Sequence, residues 1–191
     1  MITADEVKGL FEKQLAKIAD QKLRQQVVDV WVDTLQAGKW ETVEDLRKMP
    51  FTLLTDTRGV SFIEHCVAVT EGAFGLGKAI VDAYEKLPHA IDFDRLVAGG
   101  LLHDIGKLVE IEPDGKGGFR KSRGGMCARH PISGAIIVAR AGLPEEIVNM
   151  VACHAKEGDG RPQCIETVLV HQADFATFNP LVMMTMGTLI Q

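Results

Sequence analysis

The sequence predicts an all-α protein, a helical bundle with accessory helices at its N-terminus. Three observations predict it. Apolar residues recur at three- and four-residue spacing rather than in alternation. The breaks between those stretches carry helix starts and stops: Ser61 with Glu64 three residues on, Asp92 and Asp94, Pro131, and Pro144-Glu145-Glu146. Four of the six histidines and two aspartates then fall on apolar helix faces or at helix starts, where an unpaired polar group is costly.

Val7, Leu10, Phe11, Leu15 and Ile18 predict a helix over 4–20. Leu23, Val27, Val30, Trp31 and Leu35 predict a second over 22–37, which Gly38 can end. A short helix from Thr42 to Lys48 stops at Met49-Pro50, because the residue before a proline is forced out of the helical region. None of these segments holds a histidine. They are assigned to packing or to a homodimer surface, as an N-terminal extension over 1–57 packed on a domain over 58–191 that carries the chemistry.

Ser61 and Glu64 form a capping box that opens a long helix to about Glu85. His65 lies in its first turns among Ile63, Cys66, Val67 and Val69, a place where a lone histidine is ordinarily a hydrogen-bonded core residue; its companions alter that reading. After Pro88, Asp92 or Asp94 can cap a helix from Arg95 to about Val109 that contains Gly99-Gly100-Leu101-Leu102-His103-Asp104-Ile105-Gly106-Lys107. Leu101, Leu102, Ile105 and Leu108 require the core, and an ionised Asp104 beside them requires a cation or several donors. On a helix, Lys107 lies four residues beyond His103 and three beyond Asp104, so all three can address one pocket. Gly99 and Gly100 each cost roughly 1 kcal/mol relative to alanine in a helix. Close packing of another helix is the reason to expect them.

Residues 110–129 contain Pro113-Asp114-Gly115 and Gly117-Gly118, so a loop or short hairpin is expected, without the GxxxxGK[ST] pattern of a P-loop. Arg120, Lys121, Arg123 and Arg129 cluster there, either as solvated loop charge or as a local phosphate-binding field. Pro131 suits the first turn of a helix to about Ala141, with His130 at its edge. Pro144 opens another, whose stripe Ile147, Met150 and Val151 continues to His154. A last helix from about Gln163 presents Ile165, Val168, Leu169, His171, Asp174 and Phe178, and Asn179-Pro180 is expected to end it.

The formal charge of −5 argues against a nucleic acid polymer as partner, since phosphate backbones are bound by basic surfaces. Cys66, Cys127, Cys153 and Cys164 have no CxxC spacing, which points to buried free thiols. No apolar run approaches a membrane span, and the first twenty residues, with Asp5, Glu6 and Glu12, lack a signal-peptide core. A cytoplasmic protein without membrane attachment is expected.

His65, His103, Asp104, His130, His154 and Asp174 thus form one set. Imidazole with carboxylate suits iron, manganese, cobalt, nickel or zinc, whereas an all-oxygen site would suit magnesium or calcium. The order H…HD…H…H…D over roughly Ser61–Asn179, with LLHDIGK at its centre, resembles the HD superfamily of metal-dependent phosphohydrolases. That resemblance implies one or two divalent transition-metal ions, the first held by His65, His103, Asp104 and Asp174, the second by His130 and His154, with Asp104 bridging. It implies hydrolysis of a phosphoester or phosphoanhydride in a nucleotide or other small phosphorylated metabolite by a metal-activated water.

Lys107 would then orient a phosphate, unless it is a surface lysine ending its helix. His171 would be a supporting or proton-transfer group or a surface histidine, and Arg120, Lys121 and Arg123 would contact substrate phosphate. Lys156-Glu157-Gly158 stands where cyclic-dinucleotide hydrolases of the superfamily carry GYP. The same six ligands would also serve a mixed-valent di-iron oxygenase of the superfamily, and a non-catalytic sensor or scaffold is the third reading.

Overall fold

The computed structural model describes residues 1–190. It is an all-α bundle with one two-stranded hairpin. The last position of the predicted 58–191 domain, Gln191, lies outside the described residues. No described helix is long and apolar enough to cross a membrane.

The predicted first helix is two: α1 (Ala4–Leu10), opened by the Thr3/Glu6 capping box, and α2 (Glu12–Leu15). The break falls at Phe11, whose φ of −125° leaves the helical region while its ring is buried against Trp31 at 4.7 Å between centroids. Trp31 lies on α3 (Gln21–Ala37), which Asp20 caps and Gly38 ends. Its ring also meets Phe62 at 5.7 Å, at the start of the next long helix. Burying side chains of this size stabilises a fold by roughly 1.5–3 kcal/mol each, so this aromatic row ties the N-terminal helices to the bundle. Helix α4 (Val43–Lys48), capped by Thr42, stops at an extended Met49 as the following proline demands.

Helix α5 (Phe62–Ala83) carries both halves of the predicted capping box at Ser61 and Glu64. Asp92, rather than Asp94, caps α6 (Phe93–Leu102). Asp94 instead accepts from the backbone N–H groups of Ala19 and Asp20 at 2.9 and 2.7 Å, anchoring the segment that enters α3. The glycine pair does admit close neighbours. A Cβ on Gly100 would lie 3.0 Å from Thr70 Cα on α5, and one on Gly99 would lie 2.3 Å from Met150 Sδ on α10 (Glu145–Cys153).

The predicted helix through Val109 ends at Leu102. From there the chain tightens into bonds of three-residue span, Ile105 N–H to Leu102 C=O at 3.0 Å and Lys107 N–H to Asp104 C=O at 2.8 Å, before α7 (Lys107–Glu110). Gly106 allows this, since a Cβ there would fall 2.2 Å from the His130 carbonyl. Two tryptophans brace the tightened segment: Trp31 Nε1 donates to Leu101 C=O at 3.1 Å and Trp40 Nε1 to Leu108 C=O at 2.8 Å. Such carbonyls at a helix end otherwise lack donors.

The expected hairpin pairs β1 (Ile111–Pro113) with β2 (Phe119–Lys121), and a short helix, α8 (Arg123–Cys127), capped by Ser122, follows it. Helix α9 (His130–Arg140) packs against α10, and α11 (Ile165–Met186) lies across α5, α6 and α10. Asn179-Pro180 does not end α11, which runs on to a left-handed Gly187 with φ of 69°. Proline removes the donor to the Ala176 carbonyl, but Ala176 is at the surface, where water can take that bond.

Candidate metal centre

Five helices deliver the six predicted residues to one buried point. His65 comes from the second turn of α5 and Asp174 from the middle of α11. His103 and His154 are the C-terminal caps of α6 and α10, His130 is the first residue of α9, and Asp104 opens the tightened turn. His65, His103, Asp104 and His154 are at most 1% exposed.

Asp104 is the hub. Its Oδ2 lies 3.1 Å from His65 Nε2 and 3.3 Å from His103 Nε2, and its Oδ1 lies 3.2 Å from His130 Nε2 and 3.4 Å from His154 Nε2. Asp174 Oδ1 is 3.2 Å from His65 Nε2, which in turn is 3.4 Å from His103 Nε2. Two donor groups result, His65 with His103 and Asp104, and Asp104 with His130 and His154.

The outer ring nitrogens fix the tautomers. Nδ1 of His103 donates to Gly100 C=O at 2.6 Å, that of His154 to Val151 C=O at 2.9 Å, and that of His130 to Glu110 Oε2 at 2.8 Å. His65 Nδ1 lies 3.2 Å from Thr177 Oγ1, whose own hydrogen goes to the Asp174 carbonyl, so the hydroxyl accepts there too. Each neutral imidazole therefore turns an Nε2 lone pair inward. Four lone pairs and the carboxylates face one another without a shared proton, and Asp104 Oδ1 and His154 Nε2 have no hydrogen-bond partner. A cation between them resolves the repulsion, so the residues present fit a divalent metal of nitrogen–oxygen preference.

The ionisation states agree. Burial pushes His130 down to about 4, against the pull of Asp104, and keeps it neutral. Burial raises the Asp104 carboxyl, but the Lys107 ammonium beside it outweighs burial and holds it well below the usual carboxylate range. Glu110 is likewise held at about 2, burial being outweighed by its bonds from His130 and Lys121. Neutral imidazole and ionised carboxylate are the forms that ligate metal.

The structure sorts the remaining predicted residues. Lys107, almost buried, donates to Asp104 Oδ2 and lines a cavity of about 420 Å³ that opens beside the centre. Lys121 lines the same cavity and pairs with Glu110 at 3.1 Å. Arg120 is instead exposed and paired with Glu112 across the hairpin, and Arg123 is exposed in α8; neither lines the cavity. His171 does not reach it either, its ring resting on Phe175 at 4.6 Å between centroids. Arg129, which the sequence placed in the basic cluster, lines the cavity, as do Glu110 and Lys156, which the sequence did not single out for the site. Glu110 is 20 residues from His130, a separation at which no periodic signal exists.

A helical bundle closing over a buried histidine–aspartate cluster defines a metal-binding all-α protein. The HD domain profile matches residues 62–175, and the chain belongs to that family. It is similar to curated relatives named Ribonuclease Y: 31% identical to that of Pseudothermotoga lettingae over 134 residues, which is 70% of this chain and 21% of the relative. The Thermotoga petrophila protein is 34% identical over 96 residues, 50% of this chain and 16% of the relative. The chain therefore spans about a fifth or less of the length of these relatives. No solved structure matches it significantly.

These relatives overturn the expectation that excluded a nucleic acid polymer, since their name makes RNA their substrate. The reason for the error is physical. A net charge of −5 averages over the whole surface, whereas phosphate is met locally, and the cavity gathers Lys107, Lys121, Arg129 and Lys156 on one side of an acidic chain.

Proposed function

We propose that the chain is a metal-dependent phosphohydrolase that cleaves a phosphoester or phosphoanhydride with water. His65, His103, Asp104 and Asp174 would hold one divalent ion, and Asp104, His130 and His154 a second. The observation that carries this reading is the set of inward Nε2 lone pairs around a doubly shared Asp104. Bound divalent ions supply Lewis acidity to phosphoryl oxygens and bring the pKa of water near neutrality.

The chain's own groups do the rest. Asp104 keeps its charge through Lys107, and the Lys107 ammonium stands at the cavity floor, where a phosphoryl oxygen can exchange for part of its contact with the carboxylate. Lys121, Arg129 and Lys156 supply positive field for the substrate anion. Glu110 holds the His130 ring through both its Nδ1 and its backbone N–H, at 2.8 and 2.7 Å. The surplus of cations around the cavity favours phosphate hydrolysis over oxygenation.

Elemental analysis of protein prepared without chelator, followed by anaerobic turnover with manganese, cobalt, nickel, zinc and iron, tests the proposal. Nucleotides, dinucleotides, sugar phosphates and single-stranded RNA would be the substrates, with released phosphate or nucleotide as the readout. Transition metal at up to two ions per chain and oxygen-independent hydrolysis are expected. Oxygen consumption by the iron form, with no hydrolysis under any metal, would replace this reading with the oxygenase.

A further inference from the structure

The cavity beside the centre has two unlike walls. One is cationic: Lys121, Arg129 and Lys156 join Lys107, four cations against the two carboxylates Glu110 and Asp174. Lys121 is paired with Glu110 and Arg129 with Glu157 at 2.7 Å, while Lys156 has no ion pair among the described residues. The other is apolar, from Phe51, Leu53 and Leu54 on the segment before α5 and Phe175 and Phe178 on α11, and meets the first where Lys107 Nζ lies 5.7 Å from the centre of the Phe51 ring. Its volume of about 420 Å³ is that of a small-molecule site.

The aromatic residues differ in how they are held. Phe51 stacks on His65 at 4.2 Å, and Phe178 meets Phe51 edge-on at 6.4 Å, so both have structural work. Phe175 is only half-buried, is not packed on the core, touches one other ring, that of His171 at 4.6 Å, and lies one residue from Asp174. Leu54, on the same wall, is 74% exposed. A cavity lined by both cations and phenylalanine rings suits an anion with a flat apolar body rather than a bare phosphate or a long alkyl chain.

We infer that this cavity is a subsite for one unpaired nucleotide, its base stacked on Phe175 and its phosphate drawn to the cationic wall and the adjoining centre. The fate of the phosphate rests on the hydrolase reading; the stacking does not. Thr52 and His130 are the uncharged polar side chains among the lining residues, and Lys121, Arg129 and Glu110 are already paired, so few groups are left to read a base edge by hydrogen bonds. Stacking alone tolerates every base. A base inside a duplex cannot enter, so the nucleotide comes either free or from a single strand.

Calorimetric binding to the full, metal-loaded chain tests this, using slowly hydrolysed 5′-phosphorothioates of the four nucleosides and of ribose. Each nucleoside compound should bind roughly tenfold more tightly than the ribose compound, the four within about threefold of one another. Phe175→Ala and Phe175→Leu should both erase that advantage while leaving ribose phosphorothioate binding unchanged. Equal binding with and without a base in the unaltered chain would overturn the subsite, and so would full retention by Phe175→Leu, which keeps the apolar bulk.

A single-stranded oligoribonucleotide that competes assigns the source to strands, and one that does not assigns it to free nucleotides. A duplex that competes as well as its single strand would overturn the requirement for an unpaired base. Base-dependent binding without hydrolysis under any metal would sink the hydrolase reading and leave the subsite standing. Hydrolysis without base dependence would do the reverse.

Discussion

The two halves of the centre meet at Asp104 but are built differently. His65, His103 and Asp174 project from α5, the end of α6 and α11, and two supports come from those same helices: the Gly100 carbonyl for His103 and, from α11 across to α5, the Thr177 hydroxyl for His65. His130 and His154 stand at helix ends, and His130 is oriented by Glu110 from a separate segment. The partnerless atoms, Asp104 Oδ1 and His154 Nε2, both belong to this second half, while each half brings one residue to the cavity, Asp174 and His130. The half around His65 is thus braced by the helices that carry its own residues, while in the other His154 is held by its own helix and His130 by a carboxylate from a separate segment. Their affinities for metal should be separable.

Asp104→Ala gives the largest expected effect, because it removes the carboxylate common to both halves. Elemental analysis should fall to no bound ion with activity abolished, and one retained ion would mean that Asp104 does not bridge. His154→Ala comes next: one ion should remain, held by the half around His65, and His65→Ala should spare instead the half around His130. Loss of both ions in either variant would erase the distinction drawn between the halves.

Glu110→Gln keeps the size of the side chain but weakens its hold on His130. Losing such an outer partner typically lowers metal affinity 10–100-fold. A calorimetric titration should show that loss for one ion only, with the helical circular dichroism unchanged; equal weakening of both ions would show that Glu110 supports the whole site. Lys107→Ala should have the smallest effect on metal, leaving content intact while turnover of a phosphoester falls roughly tenfold or more, the scale of one charged hydrogen bond. Metal loss in step with activity would assign Lys107 to the structure of the site.

Much of the architecture was legible because the signals were local. The Ser61/Glu64 box places His65, the stripe Ile147, Met150, Val151 leads to His154, and the glycine pair announces close helix packing. The end of α6 was not legible, since Ile105 and Leu108 continue the apolar period straight through a turn that only Gly106 and the α9 backbone create. His171 shows the limit of facial reasoning. It precedes Asp174 by three residues, which leaves them about 60° apart around the helix, enough for one to meet the cluster and the other to rest on Phe175. Glu110 depended on a contact that no local pattern encodes.

The bracing of residues 101–108 by Trp31 and Trp40 also makes the chain its own optical probe. These are its two tryptophans, both buried, and their N–H groups hold carbonyls on either side of His103, Asp104 and Lys107. Any loosening of that segment, by metal removal or by substitution, releases indole donors from a dry environment to water. The resulting red shift in tryptophan emission would follow the integrity of the centre in real time, without a label and before any substrate is in hand.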